Sequence, residues 1–264
     1  MKIGFIGCGN MATAMLKGIL KSGEVEASDM IASAKSDKTR EKIEKELGIQ
    51  KADSNAQVVD FADVVFLAVK PQFLEDVLDE IRGSVKAGQI FISIAPGKTL
   101  QWLGERLGEN TKVIRTMPNT PAMVGEGMTA LCVNELVTEE ETALAVKLCN
   151  TFGKTEVIPE HLMDAVVGVS GSSPAYVFMF LEAMADAAVA DGMPRAQAYK
   201  FAAQSVLGSA KLMLETGKHP GELKDMVCSP AGTTIQAVRV LEEKGFRSAV
   251  IEAQTECVKK AKGM

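Results

Sequence analysis

A glycine-rich segment near the start of the chain has the spacing of a dinucleotide-binding loop. The run from Gly7 to Ala12 reads GCGNMA, which fits G-x-G-x-x-A, and it lies between a short apolar run and a stretch with helical periodicity. The first glycine permits a tight turn, the second lets backbone N–H groups approach a diphosphate, and the alanine lets helix and strand pack closely. The diphosphate would lie at the positive end of the helix. The segment therefore predicts binding of NAD(P).

The residues at the end of the next predicted strand indicate which dinucleotide binds. An acidic side chain about 20 residues after the glycine loop would hold the ribose hydroxyls of NAD. The segment from Ser33 to Ser36 reads SAKS and contains no carboxylate. Lys35 and the hydroxyl groups of Ser33 and Ser36 suit a 2′-phosphate, which favours NADP (as NADPH) over NAD. In the alternative interpretation, Lys35 is only a solvated turn residue.

Two further loops follow predicted strands at the carboxyl edge, where a doubly wound sheet binds its ligand. They read AVKP, from Ala68 to Pro71, and SIAPG, from Ser93 to Gly97. Asn55, expected in the loop between the second helix and the third strand, is suited to bond the adenine side. The residues predicted to bind the cofactor are Ile6, Gly7, Cys8, Gly9, Asn10, Met11, Ala34, Lys35, Asn55, Ala68, Val69, Lys70, Pro71, Ile94 and Ala95.

Histidine and metal chemistry have little place in this chain. Its 264 residues include two histidines, His161 and His219, and five widely spaced cysteines, so we expect no metal site and thiols buried in a reducing compartment. The net charge is -5, which does not suit nucleic acid, because that affinity depends on clustered cations. The first residues, MKIGFIG, predict a strand and a glycine loop rather than a signal segment. A cytoplasmic location is therefore expected.

Alternating strand and helix patterns must position these loops. Short β-branched apolar runs recur up to about residue 160 with helix-period stretches between them, as in βαβ units around a parallel sheet. The predicted strands are 2–6, 30–33, 63–69, 90–95, 112–115, 128–133 and 155–158, and the predicted helices between them include 11–21, 39–47 and 139–151. The expected fold class is α/β, with an N-terminal Rossmann (doubly wound) domain over residues 1–160 and an all-helical C-terminal domain over residues 161–264.

The helical patterns after residue 160 include one that is apolar on most of its faces. Helices are predicted at 174–190, 195–216, 233–244 and toward residue 262, the first with a serine cap at Ser172 or Ser173 and an early proline. Before Asp191, that first helix carries only Glu182 and Asp186 as charged residues, so it must be buried nearly all round. A subunit interface is expected, with a central core helix as the alternative. Glycine, serine and proline at 168–174 argue against a membrane span.

Several separate blocks resemble the pyrroline-5-carboxylate reductase family, in the family's order and over essentially the whole chain. The blocks are GFIGCGNMA from Gly4, AVKP from Ala68, RTMPNTP from Arg115, SGSSPAY from Ser170 and LKDMVCSPAGTTI from Leu223. The resemblance implies NAD(P)H-dependent reduction of 1-pyrroline-5-carboxylate to L-proline, the last step of proline biosynthesis. It also implies a helical C-terminal dimerisation domain, and so a homodimer or a higher homo-oligomer.

The last block suggests where the substrate binds. It precedes an amphipathic helix, whose N-terminal N–H groups can receive a carboxylate. By the resemblance, the hydroxyl of Thr234 bonds the pyrroline nitrogen, and Gly232 and Thr233 lie beside it; simple helix capping is the alternative for both threonines. Glu160 aligns with a family position near the substrate, where it would favour the protonated imine, but it also fits a solvated charge before a helix. Catalysis would then depend on Thr234.

The sequence departs from the family pattern at two small residues. Ser173 and Ala231 stand where the family often has glycine, which leaves the local backbone contacts in doubt. Two other functions stay open. A β-hydroxyacid dehydrogenase would use a helix-borne lysine, for which GSAK ending at Lys211 is a faint match, and a non-catalytic NADP sensor would bind the cofactor without turning over any imine.

Overall fold

The computed structural model describes residues 1–263 and every side chain among them except that of Lys42. Eight strands within the described residues form one sheet in the order β3-β2-β1-β4-β5-β6-β7-β8. The strands are β1 Ile3–Ile6, β2 Met30–Ser33, β3 Gln50–Lys51, β4 Val64–Leu67, β5 Ile90–Ser93, β6 Lys112–Met117, β7 Gly127–Val133 and β8 Gly153–Val157. The Rossmann-type, mainly parallel sheet confirms the predicted fold class.

Strand direction changes once in this sheet. β7 pairs with β6 in antiparallel fashion, with Ile114 opposite Val133, whereas the other neighbouring strands pair in parallel. The chain between β6 and β7 forms only the 3-10 turn Thr120–Val124, which is too short for the crossover that a parallel pair requires. The antiparallel step and the two-residue β3 are the features of the sheet that the sequence patterns did not predict.

Helices cover both faces of the sheet. They are α1 Asn10–Ser22, α2 Asp37–Lys45, α3 Asn55–Phe61, α4 Pro71–Ile81, α5 Leu100–Leu107 and α6 Glu139–Cys149. Local capping fixes several of their ends: the Ser54 side chain accepts the Gln57 N–H before α3, and Thr138 and Glu141 form a capping box before α6. The expectation that Asn55 lies in a loop is therefore wrong, because the Ser54 cap starts a helix at that residue.

Two apolar clusters lie on opposite faces of the sheet, because side chains alternate along each strand. On one face, Phe5 and Phe66 stack with their ring centroids 4.5 Å apart and pack with buried residues of α1, α2 and α6. On the other face, Ile6 and Leu67 pack with buried residues of α3, α4 and α5. This double cover fixes the register of β1 against β4, and with it the loops that follow these two strands.

The remaining chain is helical. Its elements are α7 Met163–Val166, the π-helical turn Val167–Ser172, α8 Ser173–Ala190, α9 Arg195–Thr216, α10 Pro220–Val227, α11 Thr233–Glu243 and α12 Phe246–Ala261. The predicted serine cap before Pro174 is wrong, since helical turns run unbroken from residue 160 to residue 190. This segment, Glu160–Ala190, is long and apolar enough to cross a membrane by length and composition alone.

The Cα positions divide the chain into two compact units. One contains Met1–Ser172 and the last residues from Val258, and the other contains Ser173–Cys257. The second unit has little core of its own: Ala185 is the buried residue of α8, and no described residue of α10, α11 or α12 is buried. Large apolar side chains, including Phe178, Phe201 and Leu214, are exposed instead.

Candidate cofactor and substrate sites

The glycine loop after β1 has a backbone conformation that requires glycine at its first position. Gly7 has φ +95°, and a Cβ built on it would lie 2.7 Å from the carbonyl oxygen of Ala68. Its N–H donates to the carbonyl of Ser33 at 3.1 Å. The loops that follow β1, β2 and β4 therefore meet at Gly7, as the sequence analysis predicted for one edge of the sheet.

The N-terminus of α1 is open for an anion. Gly9 is its N-cap residue, no described side chain caps it, and a Cβ on Gly9 would meet no described atom within 4 Å. The first N–H groups of a helix have no partner within the helix, and the helix dipole favours negative charge there. Ala12, in contrast, is fully buried against the sheet. The open helix N-terminus at Gly9, with α1 packed closely on the sheet, fits a dinucleotide diphosphate.

A pocket of about 400 Å³ lies beside this loop, at the ends of β1 and β2. Its walls include the predicted cofactor residues Gly7, Ala34, Lys35, Asn55 and Val69, together with Ser33. Eight further lining residues were not predicted, and Arg40, Phe73, Asp76 and Glu80 are four of them. These four residues lie on α2 and α4, and no short motif marks them, because the packing of helices that are distant in the sequence brings them to the pocket.

A chain of hydrogen bonds fixes Asn55 in this pocket. The hydroxyl of Ser33 donates to Oδ1 of Asn55 at 2.6 Å, and Nδ2 of Asn55 donates to the Glu80 carboxylate at 2.7 Å. Both ends of the amide are therefore held. The position of Asn55 at the first turn of α3 keeps it at the pocket, although the predicted loop is a helix.

Two cations line the same pocket. The ammonium of Lys35 lies 5.3 Å from the ring centroid of Phe73, and Nε of Arg40 donates to the carbonyl of Ala34 at 2.7 Å. Arg40 Nη1 lies 3.8 Å from the exposed carboxylate of Asp37. The lining also carries the carboxylates of Asp53, Asp76 and Glu80, of which Glu80 accepts the Asn55 amide. Cations beside hydroxyl and amide groups suit a phosphorylated ribose.

The loops after β4 and β5 continue the same edge of the sheet. The N–H of Ile94 donates to the carbonyl of Leu67 at 3.2 Å, and the N–H of Ala95 donates to the hydroxyl of Ser93 at 3.3 Å. Lys70 is the N-cap residue of α4, and Pro71 is its first residue, where the missing N–H costs nothing. The predicted cofactor residues after β1, β2, β4 and β5 thus follow parallel strands that end at one edge.

Glu160 is held by two groups of the first unit. Its Oε1 accepts the N–H of Leu100 at 2.7 Å and lies 3.1 Å from Nη1 of the buried Arg115. Asp164 lies 4.0 Å from the same guanidinium. Burial, followed by the negative charge of Glu160, raises the pKa of the neighbouring Cys132 to about 12. Glu160 is therefore not a simple solvated charge.

The predicted substrate loop precedes α11. Ala231 has φ +57° and is the one non-glycine residue with positive φ in the described chain. The N–H of Gly232 donates to the carbonyl of Ser229 at 3.0 Å, and a Cβ on Gly232 would lie 2.5 Å from the Ser229 hydroxyl. Gly232 is the N-cap residue of α11, with no described side-chain cap and no acidic residue in the first turn. Thr233 is exposed and Thr234 is half-buried.

Comparison with protein-family models gives two matches. The model described as "Pyrroline-5-carboxylate reductase dimerisation" matches residues 160–264. The model described as "NADP oxidoreductase coenzyme F420-dependent" matches residues 2–97, which contain the glycine loop and the pocket.

Known proteins match over nearly the full length of the chain. The pyrroline-5-carboxylate reductase of Escherichia coli (strain K12) is 57% identical over 260 residues, which cover 98% of this chain and 97% of that protein. The solved structure of a pyrroline-5-carboxylate reductase from Coxiella burnetii has a TM-score of 0.92 at 34% identity, covering 99% of this chain and 97% of its own. The Plasmodium falciparum pyrroline carboxylate reductase with NADP bound has a TM-score of 0.89 at 29% identity, covering 100% of this chain and 97% of its own.

Proposed function

The chain belongs to the pyrroline-5-carboxylate reductase family, and from that premise we propose which of its residues carry out the reaction. It is an oxidoreductase of proline biosynthesis that uses NAD(P)H to reduce the imine of 1-pyrroline-5-carboxylate to L-proline. The main support for this conclusion is the match over nearly the whole of both chains to the Escherichia coli reductase. The proposals below concern residues, the assembly and its location.

The cofactor is held by the residues predicted from the sequence. The first N–H groups of α1 bind the diphosphate, and Ser33, Asn55 and Lys35 hold the adenosine ribose and its 2′-phosphate, with Arg40 as a further cation. The support is the open N-terminus of α1 and the pocket beside it. When bound, the nicotinamide supplies the hydride for the reduction.

The substrate carboxylate binds at the N-terminus of α11, beside Gly232, where Thr233 and Thr234 present backbone N–H groups; the N–H of Gly232 itself donates to the Ser229 carbonyl. The absence of a described side-chain cap supports this role, because the N–H groups of the first turn need an acceptor. The Thr234 hydroxyl bonds the ring nitrogen and so orients the imine carbon for attack. A substrate role for Glu160 would use Oε2, since Oε1 already accepts two hydrogen bonds.

The active form is a homo-oligomer assembled through the C-terminal helices, working in the cytoplasm. The oligomer is supported by exposed apolar side chains: Phe178 and Met179 of α8 are 66% and 69% exposed, and α9 and α12 expose further large apolar side chains. Apolar surface of this extent is unusual on a monomer in water. A second copy, rather than a lipid bilayer, covers the exposed apolar side chains of α8, because the family model that matches this region describes dimerisation.

The test is a coupled assay with 1-pyrroline-5-carboxylate and either NADPH or NADH. Turnover is expected with NADPH, and no turnover between pH 6 and pH 9 would refute the proposed reaction. Thr234→Ala should raise the free energy of the transition state by about 1 to 3 kcal/mol and so lower kcat, with little change in NADPH affinity. The matched control is Thr216→Ala, whose hydroxyl bonds only nearby backbone groups: it donates to the carbonyl of Leu212 and accepts the N–H of Lys218. An unchanged kcat would remove Thr234 from the mechanism.

The β-hydroxyacid dehydrogenase alternative is not favoured. Besides the family match, the side chain of Lys211 is 68% exposed on α9 and lies 3.6 Å from Glu215, one turn away on the same helix. A lysine in such a surface pair is solvated and is poorly suited to hold a proton for a buried substrate.

A further inference from the structure

The side chain of Asn119, just after β6, joins two sequence blocks that the proposed function leaves unexplained. Its Nδ2 donates to the backbone carbonyl of Ser170 at 3.2 Å and also lies 3.2 Å from the Ser170 hydroxyl. Its Oδ1 accepts the N–H of Met128, at the start of β7, at 2.8 Å. One amide therefore links the sheet to the π-helical turn Val167–Ser172.

Pro174 explains why the Ser170 carbonyl needs this donor. In an α-helix, the carbonyl of residue 170 would accept the N–H of residue 174, but proline has no N–H and its ring crowds the carbonyl four residues earlier. The helix widens to a π-turn over the six residues just before Ser173. The Asn119 amide donates to the very carbonyl that the proline leaves without its α-helical donor.

The π-helical turn also packs tightly against the end of β6. A Cβ built on Gly171 would lie 2.8 Å from the terminal methyl of Met117. Nearby, Met117 and Val166 both pack against the buried cluster of Ala130, Cys132 and Met163. The turn therefore has little freedom to move while the Asn119 bonds hold.

The position of Asn119 in the sheet relates it to the reacting end of the cofactor. The adenosine pocket lies at the ends of β1 and β2, and a dinucleotide crosses the glycine loop toward the other half of the sheet. In the order β1-β4-β5-β6, the next strand ends are those of β4, β5 and β6, which are parallel. Asn119 is the second residue after β6, so it lies at the edge of the nicotinamide half.

We propose that Asn119 is a positioning residue for the reduction: it fixes the Pro174-widened turn Val167–Ser172 as a wall beside the nicotinamide half of the cofactor site. Asn119 itself does not touch the reacting atoms. Loss of its donor would let the wall shift and would spoil the alignment of cofactor and imine. A displacement of about 1 Å at a reacting centre can cost about a hundredfold in rate.

The first experiment compares Asn119→Asp and Asn119→Ala with Asn134→Ala. Aspartate keeps the acceptor for Met128 but loses the donor to Ser170. Asn134 is a matched control, since its amide also bridges backbone groups of this sheet, Val113 and Thr111, near the opposite end of β6. We expect kcat to fall about 10- to 100-fold in both Asn119 variants, with an unchanged Kd for 2′,5′-ADP, a probe of the adenosine half.

Each variant is assayed at a temperature where circular dichroism shows it folded. A kcat of Asn119→Asp within twofold of the wild type would overturn the proposal, as would an equal loss in Asn134→Ala. Asn119's role presupposes the proposed reductase activity, which wild-type turnover tests separately. An inactive wild type would refute the activity, whereas an active wild type with active Asn119 variants would refute only the positioning role.

The second experiment tests the link to Pro174. Pro174→Ala restores an N–H that can donate to the Ser170 carbonyl, so the Asn119 donor becomes less important. We expect the loss caused by Asn119→Asp to shrink at least fivefold in the Pro174→Ala background. An equal loss in both backgrounds would show that Asn119 does not act through the Ser170 carbonyl.

Discussion

The guanidinium of Arg115 lies 3.1 Å from Oε1 of Glu160, and this pair joins β6 to the start of the helical segment. The Arg115 side chain is 7% exposed, whereas that of Glu160 is 31% exposed. Because the same Glu160 oxygen accepts the N–H of Leu100 at the start of α5, one carboxylate connects three elements. The pair therefore fixes where the helical segment leaves the sheet.

Arg115→Met should destabilise the fold by about 1 to 3 kcal/mol, because Glu160 and Asp164 would be left partly buried without their cation. Urea denaturation measures the change. Arg106→Met is the matched control: Arg106 also faces two carboxylates, Glu75 and Asp79, but all three side chains are much more exposed, so its loss should cost below about 1 kcal/mol. Equal costs would contradict the structural role of Arg115.

Lys35→Ala and Arg40→Ala should each raise the KM for NADPH about 5- to 30-fold and leave the KM for NADH nearly unchanged, since only NADPH carries the 2′-phosphate. Steady-state kinetics with both cofactors provide the measurement. Lys45→Ala, which removes an exposed cation of α2 paired with Glu41, serves as the control. Equal increases in the KM for NADH and the KM for NADPH would show that these cations do not bind the 2′-phosphate.

Ala231→Gly should raise the free energy of unfolding by about 0.5 to 1 kcal/mol. The left-handed conformation at φ +57° costs alanine about 1 to 2 kcal/mol, and the greater freedom of glycine in the unfolded chain offsets only part of the gain. Ala187→Gly, inside α8, should instead destabilise by a similar amount. Thermal unfolding distinguishes the two. Destabilisation by Ala231→Gly would mean that this residue makes contacts outweighing its backbone strain.

Phe178→Glu should dissociate the oligomer, because a carboxylate would be buried in an apolar interface. Light scattering measures the molar mass. The control is Lys17→Glu on α1, an exposed position of the first unit, which should leave the mass unchanged. If Phe178→Glu keeps the wild-type mass, α8 does not lie at the interface.

The buried thiols of Cys132 and Cys149 should resist alkylation at pH 8, where Cys228, which is only half-buried, reacts. Burial raises the pKa of Cys149 to about 12, and burial together with Glu160 does the same for Cys132. Above the ordinary pKa of 9.0 the unfolded chain loses these protons while the folded protein keeps them, so stability should fall as the pH rises from about 9 toward about 12.

Cys149→Ala should make that alkaline loss shallower, as chemical denaturation at pH 8 and pH 10.5 would measure. An identical pH dependence in the variant would show that the thiol proton is not linked to folding. Modification of Cys132 or Cys149 in the native protein, followed by mass spectrometry, would contradict their burial.

Much of the fold could be predicted from the sequence, because local chemistry sets it. The helix Arg195–Thr216 has the predicted ends, since Pro194 precedes it and Gly217 adopts the left-handed conformation after it. The strand Met30–Ser33 and the glycine loop were predicted for the same reason. The wrong predictions, a loop at Asn55 and a serine cap before Pro174, concern places where a nearby cap or an unbroken helix outweighs the local signal.

The contacts between distant residues could be decided only by the tertiary structure. Nothing in the local sequence indicates that Arg40 and Glu80 line one pocket, that β7 runs against β6, or that Asn119 donates to Ser170. The sequence determined which residues could bind a dinucleotide and an imine, because those requirements are written in short motifs. The structure decided how these motifs are held, because hydrogen bonds and burial depend on which elements pack together.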